Sequence, residues 1–257
     1  MLIVNTLDGE INKVDIAIQR LKEFEPGEGY YGAFSGGKDS IVIKKLVKMS
    51  GVKCDWHYNL TTIDPPELVR FIRKYHQDVK VDYPEKPFLI RMVEKGMPPR
   101  RNVRWCCAEY KERGGINRFV ILGVRWVESN KRNKRKLVEN CYKNNNKKYI
   151  NPIIDWTDQD VWDFIKKYNV SYCKLYDEGW KRIGCLFCPM ARKQRQIELK
   201  LYPKYREAFR KAFHKMYDNL VKEKIENIKW KNGDDYFKWW LTNDPIKIIP
   251  DQTIMFE

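Results

Sequence analysis

The sequence predicts an α/β fold: a doubly wound, mainly parallel sheet with helices on both faces, and a helical C-terminal region. Three observations predict it. Short apolar runs alternate with helical spacings through the first two thirds of the chain. The first strong run feeds a glycine turn that opens a helix, and the longest helical spacing lies far downstream. Residues 1–170 are expected to form the α/β domain with an N-terminal helix, and residues 171–257 a region packed on it. With 43% hydrophobic residues and only 14 Gly and 12 Pro among 257, the composition excludes a disordered or fibrous chain.

Element by element, Ile11, Val14, Ile18 and Leu21 fall on one helical face, so a leading helix is expected over 8–24. Residues 29–34 read as a strand running into SGGKDS, and Ile41, Val42, Ile43, Leu46 and Val47 mark a largely buried helix behind it. A second strand is expected over 52–58. Asp64-Pro65-Pro66 then starts a helix carrying Leu68, Val69 and Ile72. Further strands are expected over 80–83 and 119–124. Residues 130–148, with eight basic residues against one acidic and a run of asparagines, read as a mobile loop. Thr157 with Asp160 makes a capping box for a helix through Val161, Phe164, Ile165 and Tyr168, and Phe209, Phe213 and Met216 mark a long helix over 205–220. In a doubly wound sheet, ligands sit at the edge where the strands end.

The formal charge is +16, from 50 Lys+Arg against 34 Asp+Glu, which favours polyanionic partners such as nucleotides or nucleic acid. No apolar run approaches the ~18 residues of a membrane span, and the N-terminal residues lack a basic leader, so the expectation is a cytoplasmic chain with no membrane partner. Seven cysteines in such a chain point to metal or thiol chemistry rather than a disulfide framework.

In residues 35–40, between strand and helix, backbone N–H groups and the helix's positive end converge on an anion. Gly36 and Gly37 let the backbone approach phosphate oxygens, and Ser35 and Ser40 add hydroxyl donors. Asp39 follows Lys38, so this is not a Walker loop. The hexapeptide resembles the PP-loop, SGGxDS, of the adenine nucleotide alpha hydrolase superfamily. That resemblance implies phosphate binding by Ser35, Gly36, Gly37, Lys38, Asp39 and Ser40, with Mg²⁺ when ATP is the ligand.

Cys106-Cys107 is followed at long range by Cys185-Leu-Phe-Cys188. Four thiolates can complete a zinc site or hold a [4Fe–4S] cluster, and they can also stand unligated. Behind a PP-loop, this pattern resembles the phosphoadenosine phosphosulfate (PAPS) reductase family, as do GVRWVESNKR from Gly123, NPIIDWTDQDVW from Asn151 and LYDEGWKRIGCLFC from Leu175. The resemblance runs from about Tyr30 to Met190. It implies Cys106, Cys107, Cys185 and Cys188 as cluster ligands, and Gly123 and Arg125 as part of the nucleotide site.

The resemblance breaks at the tail. Reductases of that family attack the sulfate sulfur with a cysteine in a Glu-Cys-Gly-(Leu/Ile)-His context, and no cysteine follows Cys188 in this sequence. Cys173 or another chain would have to substitute. Asn59-Leu60-Thr61-Thr62 stands where the reductases carry Asp-Thr-Gly, and SGGKDS is nearer the ATP-binding form of the loop. The leading expectation is therefore an ATP pyrophosphatase with Lys38, Asp39 and Arg125 at its catalytic centre, adenylating an acceptor for sulfur transfer, with nucleic acid as the acceptor and a sulfur donor or reductant protein as partner. The alternatives are an adenylylsulfate or PAPS reductase and a non-catalytic nucleotide-binding subunit. Whether the chain pairs as a homodimer stays open.

Other residues carry weaker expectations. Arg100, Arg101, Arg104, Arg132, Lys181 and Arg182 suit phosphate or sulfate recognition. Residues 189–229 hold twelve basic and five acidic residues among aromatics, a pattern read as nucleic-acid contact or, from the helical spacing, as a packed face. Glu128 and Asp39 are the candidate general bases. His57, His76 and His214 show no ligand spacing, and Cys54 and Cys141 match no ligand position.

Overall fold

The computed structural model describes residues 2–6, 9–141, 146–191 and 193–242. Eight strands and eight α-helices follow one another as β1 (Ile3–Thr6), β2 (Gly9–Asn12), α1 (Lys13–Glu23), β3 (Tyr30–Ala33), α2 (Lys38–Ser50), β4 (Cys54–Asn59), α3 (Pro66–Tyr75), β5 (Lys80–Asp82), α4 (Phe88–Glu94), β6 (Phe119–Ile121), β7 (Val138–Asn140), β8 (Lys148–Ile150), α5 (Asp158–Lys167), α6 (Lys193–Leu201), α7 (Pro203–Lys222) and α8 (Gly233–Thr242) among the described residues. Six strands form one sheet in the order β5-β4-β3-β6-β8-β7, parallel except for β7. This is the expected α/β fold.

β3 lies at the centre with Tyr30, Tyr31 and Gly32 all buried, as a strand covered on both faces requires. Gly32 is demanded by packing: a Cβ there would stand 2.3 Å from the Trp56 ring. On one face α2 packs between α1 and α5, and the Tyr30 hydroxyl donates to the Leu21 carbonyl at 2.9 Å. Gly51, at φ +76, ends α2 in the left-handed conformation. The α5 capping box forms as the sequence predicts, with Asp160 also held by Lys13 at 2.6 Å.

Two expectations are corrected. The leading helix starts at Lys13 rather than near residue 8, because Asn12 caps it by accepting from the Val14 N–H at 3.0 Å. Residues before it pair as the β1–β2 hairpin, and Asp8 is outside the described residues. Within 130–148, read as a mobile loop, β7 and the first residue of β8 instead make an antiparallel edge to the sheet, secured by Asn151 Nδ2 donating to the Lys136 carbonyl at 2.8 Å. Residues 142–145 are outside the described residues.

The chain divides into two compact units: Met1–Glu85 with Cys106–Leu186, and Lys86–Trp105 with Phe187–Glu257. Each is built from two stretches of chain, where the sequence suggested a single boundary after residue 170. The first holds the sheet. In the second, α7 packs on α8 and α4 around Phe88, Met92, Phe209, Phe213, Met216 and Trp240. Arg195 is buried there with its guanidinium 3.8 Å from the Trp240 ring centroid. No helix among the described residues is long and apolar enough to cross a membrane.

Candidate functional site

β3 ends at Ala33 and α2 begins at Lys38, so the loop between them lies at the strand-end edge of the sheet. Gly36 adopts φ +70, and a Cβ there would come within 2.7 Å of Leu68 and 2.8 Å of Ile72. Both its conformation and its closeness to α3 therefore require glycine. Ser35 donates to Ser40 at 3.2 Å, and Ser40 in turn donates to the Gly37 carbonyl at 2.8 Å, which folds the loop back on the start of α2.

The charged groups behind this loop form one network. Arg125, 1% exposed, donates from Nε to Asp39 at 2.7 Å and from Nη2 to Asp158 at 2.8 Å. The Lys38 ammonium reaches the same Asp158 oxygen at 3.2 Å. Burial raises the Asp39 carboxyl above its ordinary value, while Arg125 and Lys38 oppose that rise. Asp158 resists a smaller burial effect and is held below the ordinary carboxylate value by the Arg125 hydrogen bond and the Lys38 charge. Gly123 leaves room for this packing, because a Cβ there would lie 2.9 Å from that of Asp39. Residues 35–40, Gly123 and Arg125, separated in sequence, thus meet at one place.

Glu128 is committed elsewhere. Its carboxylate accepts from the Arg125 backbone N–H at 2.9 Å and pairs with Arg132, so it braces Arg125. The sequence reading missed two residues. Asp158 bridges Arg125 and Lys38; it lies in the family-like NPIIDWTDQDVW stretch and in the acidic first turn of α5, and was not singled out there. Tyr176 lies in the family-like LYDEGWKRIGCLFC stretch without being singled out there, and its hydroxyl accepts from the Lys38 backbone N–H at 2.8 Å, where an anion would otherwise be received. Its ring is held edge-on by Trp162 at 5.2 Å.

The four candidate cysteines are divided between the two units. Cys106, Cys107 and Cys185 belong to the first unit and Cys188 to the second. Among the described residues, no group of three or more His, Cys, Asp or Glu side chains is placed to hold a metal ion. Beside Cys185 stands the Lys111 ammonium, whose pKa is raised chiefly by that thiol, with a smaller effect from Cys107. Cys185 also donates to Thr61 at 3.6 Å. Within the first unit, Cys106, Cys107 and Cys185 do not form such a group, and the four-thiolate ligand set is what the family resemblance implies. Mg²⁺ asks less, since it is commonly held by one or two carboxylates together with substrate phosphates. Asp39 is the loop's carboxylate.

Cys173 is fully buried with its thiol pKa raised by burial, and burial pushes Cys54 up to about 12, so neither is disposed to react. Cys141 accepts from the Tyr149 hydroxyl at 3.3 Å. Arg100, Arg101 and Arg104, which suit phosphate or sulfate recognition from beside the Cys106-Cys107 pair, fall in the second unit.

Residues 30–191 match the family model described as phosphoadenosine phosphosulfate reductase domain. An uncharacterized protein of Methanocaldococcus jannaschii is 30% identical over 223 residues, covering 80% of this chain and 44% of its own length. The chain likewise spans 44% of a second relative from that organism. An adenosine 5'-phosphosulfate reductase of Staphylococcus haemolyticus is 33% identical over 178 residues, covering 63% of this chain and 71% of that protein. Among solved structures, a phosphoadenylyl-sulfate reductase from Candida auris in complex with phosphate superposes with a TM-score of 0.51 at 18% identity, covering 68% of this chain and 88% of that one, a likeness of fold.

Proposed function

The chain belongs to the phosphoadenosine phosphosulfate reductase domain family, and from that premise we propose that it binds ATP at the glycine loop and opens it at the α-phosphorus. One observation carries the reading: the glycine turn at the head of α2 is backed by a Lys38–Asp158–Arg125–Asp39 network. The loop N–H groups and Lys38 would neutralise phosphate charge, and Arg125 would hold Asp39 in position for the nucleotide's Mg²⁺. Bound Mg²⁺ would supply charge neutralisation on the pyrophosphate. An acceptor oxygen attacks the α-phosphorus and loses its proton to water; the α–β bridging bond breaks and pyrophosphate leaves. Displacement of AMP from the adenylated acceptor by a sulfur donor would complete sulfur transfer.

The test is pyrophosphate release from ATP with Mg²⁺ across candidate acceptors. Release is expected, and Asp39→Ala is expected to lower it by at least about 100-fold, in keeping with loss of an electrostatic group at a phosphoryl centre. ATP left intact with every acceptor, or full activity in Asp39→Ala, overturns the proposal.

A second reading, reduction of adenylylsulfate or PAPS, is favoured by the relatives named adenosine 5'-phosphosulfate reductase at 33% and 37% identity. Against it stands the burial of Cys173, its best nucleophile within the chain. Sulfite release with thioredoxin, abolished in Cys173→Ser, would establish it instead.

A further inference from the structure

The second unit carries a disproportionate share of the charge. Its 91 residues hold 21 Lys+Arg against 11 Asp+Glu, a formal +10 of the chain's +16. The structure sorts the basic and aromatic residues of this region. Phe209, Phe213 and Met216 of α7 are buried, whereas Lys204, Lys211, Lys215 and Lys222 are exposed. At 3.6 residues per turn, those four lysines fall within an arc of about 40° and run about 27 Å along the outer side of the helix. None of the four makes an ion pair or hydrogen bond with another described residue. Their acidic neighbours on that side are Glu207, taken up by Arg210 at 3.3 Å, and Asp218. Lys211 and Lys215 stand one turn apart, a like-charge spacing that weakens a helix unless something neutralises it.

We infer that the outer side of α7 docks on the phosphate backbone of double-stranded DNA. A row of ammonium groups with no protein ion-pair partner complements the dense negative charge of a duplex, and about 27 Å spans most of one 34–36 Å turn, over which both strands present phosphates along its surface. A single strand is the poorer fit. Proteins that grip one stack its bases on exposed rings, and this side of α7 carries none. The inference goes beyond the nucleotide chemistry and does not depend on it: Asp39→Ala keeps DNA binding, and the lysine variants keep pyrophosphate release with acceptors other than DNA.

Fluorescence anisotropy of a labelled 20-base-pair duplex, titrated with the full chain between 50 and 200 mM NaCl, tests it. Four phosphate contacts give a slope of log K against log salt of about −3.6, or about 150-fold weaker binding across that range. Lys204→Gln/Lys211→Gln/Lys215→Gln/Lys222→Gln should flatten the slope by that amount. Lys22→Gln/Lys48→Gln/Lys53→Gln/Lys166→Gln, which removes equal charge from exposed lysines of the first unit, should not. If the quadruple α7 variant melts early, the four single variants carry the test, each lowering the slope by about 0.9. Equal flattening in the control, tighter binding of a single strand or of an RNA duplex of the same sequence, or no binding at 50 mM overturns the inference.

Discussion

Arg125 holds two carboxylates and one carbonyl with a single guanidinium, and it does so from a position closed to water. Its partners differ in what they would lose. Asp158, 70% exposed, can return to water at little cost, but Asp39, at 22%, cannot do so fully. Removing the cation alone should therefore strand charge in the loop. Arg125→Met is expected to cost about 3 kcal/mol, toward the lower end for breaking a buried pair. For a chain of this size that lowers Tm by about 6–12 °C. Asp39→Asn in the same background should restore at least about 1 kcal/mol, since both charges are then gone. Additive losses in thermal melts of the two single variants and the double variant would show that the residues are not coupled.

At the scale of the element, α3 ends on a titrating group. His76 caps its last turn, its ring packed on Phe34 and Phe71, with Lys44 at 3.3 Å from Nδ1 and Asp78 beyond. Burial first, and the Lys44 charge second, lower its pKa from 6.5 to about 4. Between those values the unfolded chain binds the proton and the folded one does not. Stability is therefore whole above pH 6.5 and falls as pH drops toward 4. His76→Phe should keep more of its neutral-pH Tm at pH 5 than the wild type does; an equal drop in both would refute the assignment. Elements of this kind were legible wherever the signal was local. The apolar run before SGGKDS, the prolines opening α3 and the Thr157–Asp160 box each fix backbone within a few residues. The β7–β8 edge was not legible, because Asn140 and Lys148 pair across a basic stretch whose composition alone reads as loop. Nor was Tyr176, whose role rests on a hydrogen bond to a residue 138 positions away.

For the molecule as a whole, the decisive feature is the excursion of Lys86–Trp105 out of the first unit. Its apolar residues are committed to the C-terminal helices: Phe88 and Met92 are buried, and Phe88 packs on Phe209 at 6.1 Å. Its backbone is committed too, since Trp240 donates to the Pro99 carbonyl at 2.7 Å and Tyr236 to the Gly96 carbonyl at 3.4 Å. No local pattern in the sequence announces that partnership, which is why a single cut near residue 170 looked natural. The consequence is physical. A fragment of residues 1–186 keeps the whole sheet and the glycine loop but leaves Phe88 and Met92 facing water, at about 1.5–3 kcal/mol for each side chain. It should bind a hydrophobic dye and lose its cooperative melt. The same fragment with residues 86–105 replaced by a Gly/Ser linker of equal length should melt cooperatively, and ATP should raise its Tm through binding to the native loop. A sharp melt without dye binding in the unmodified fragment would mean that the excursion is not held by the C-terminal helices.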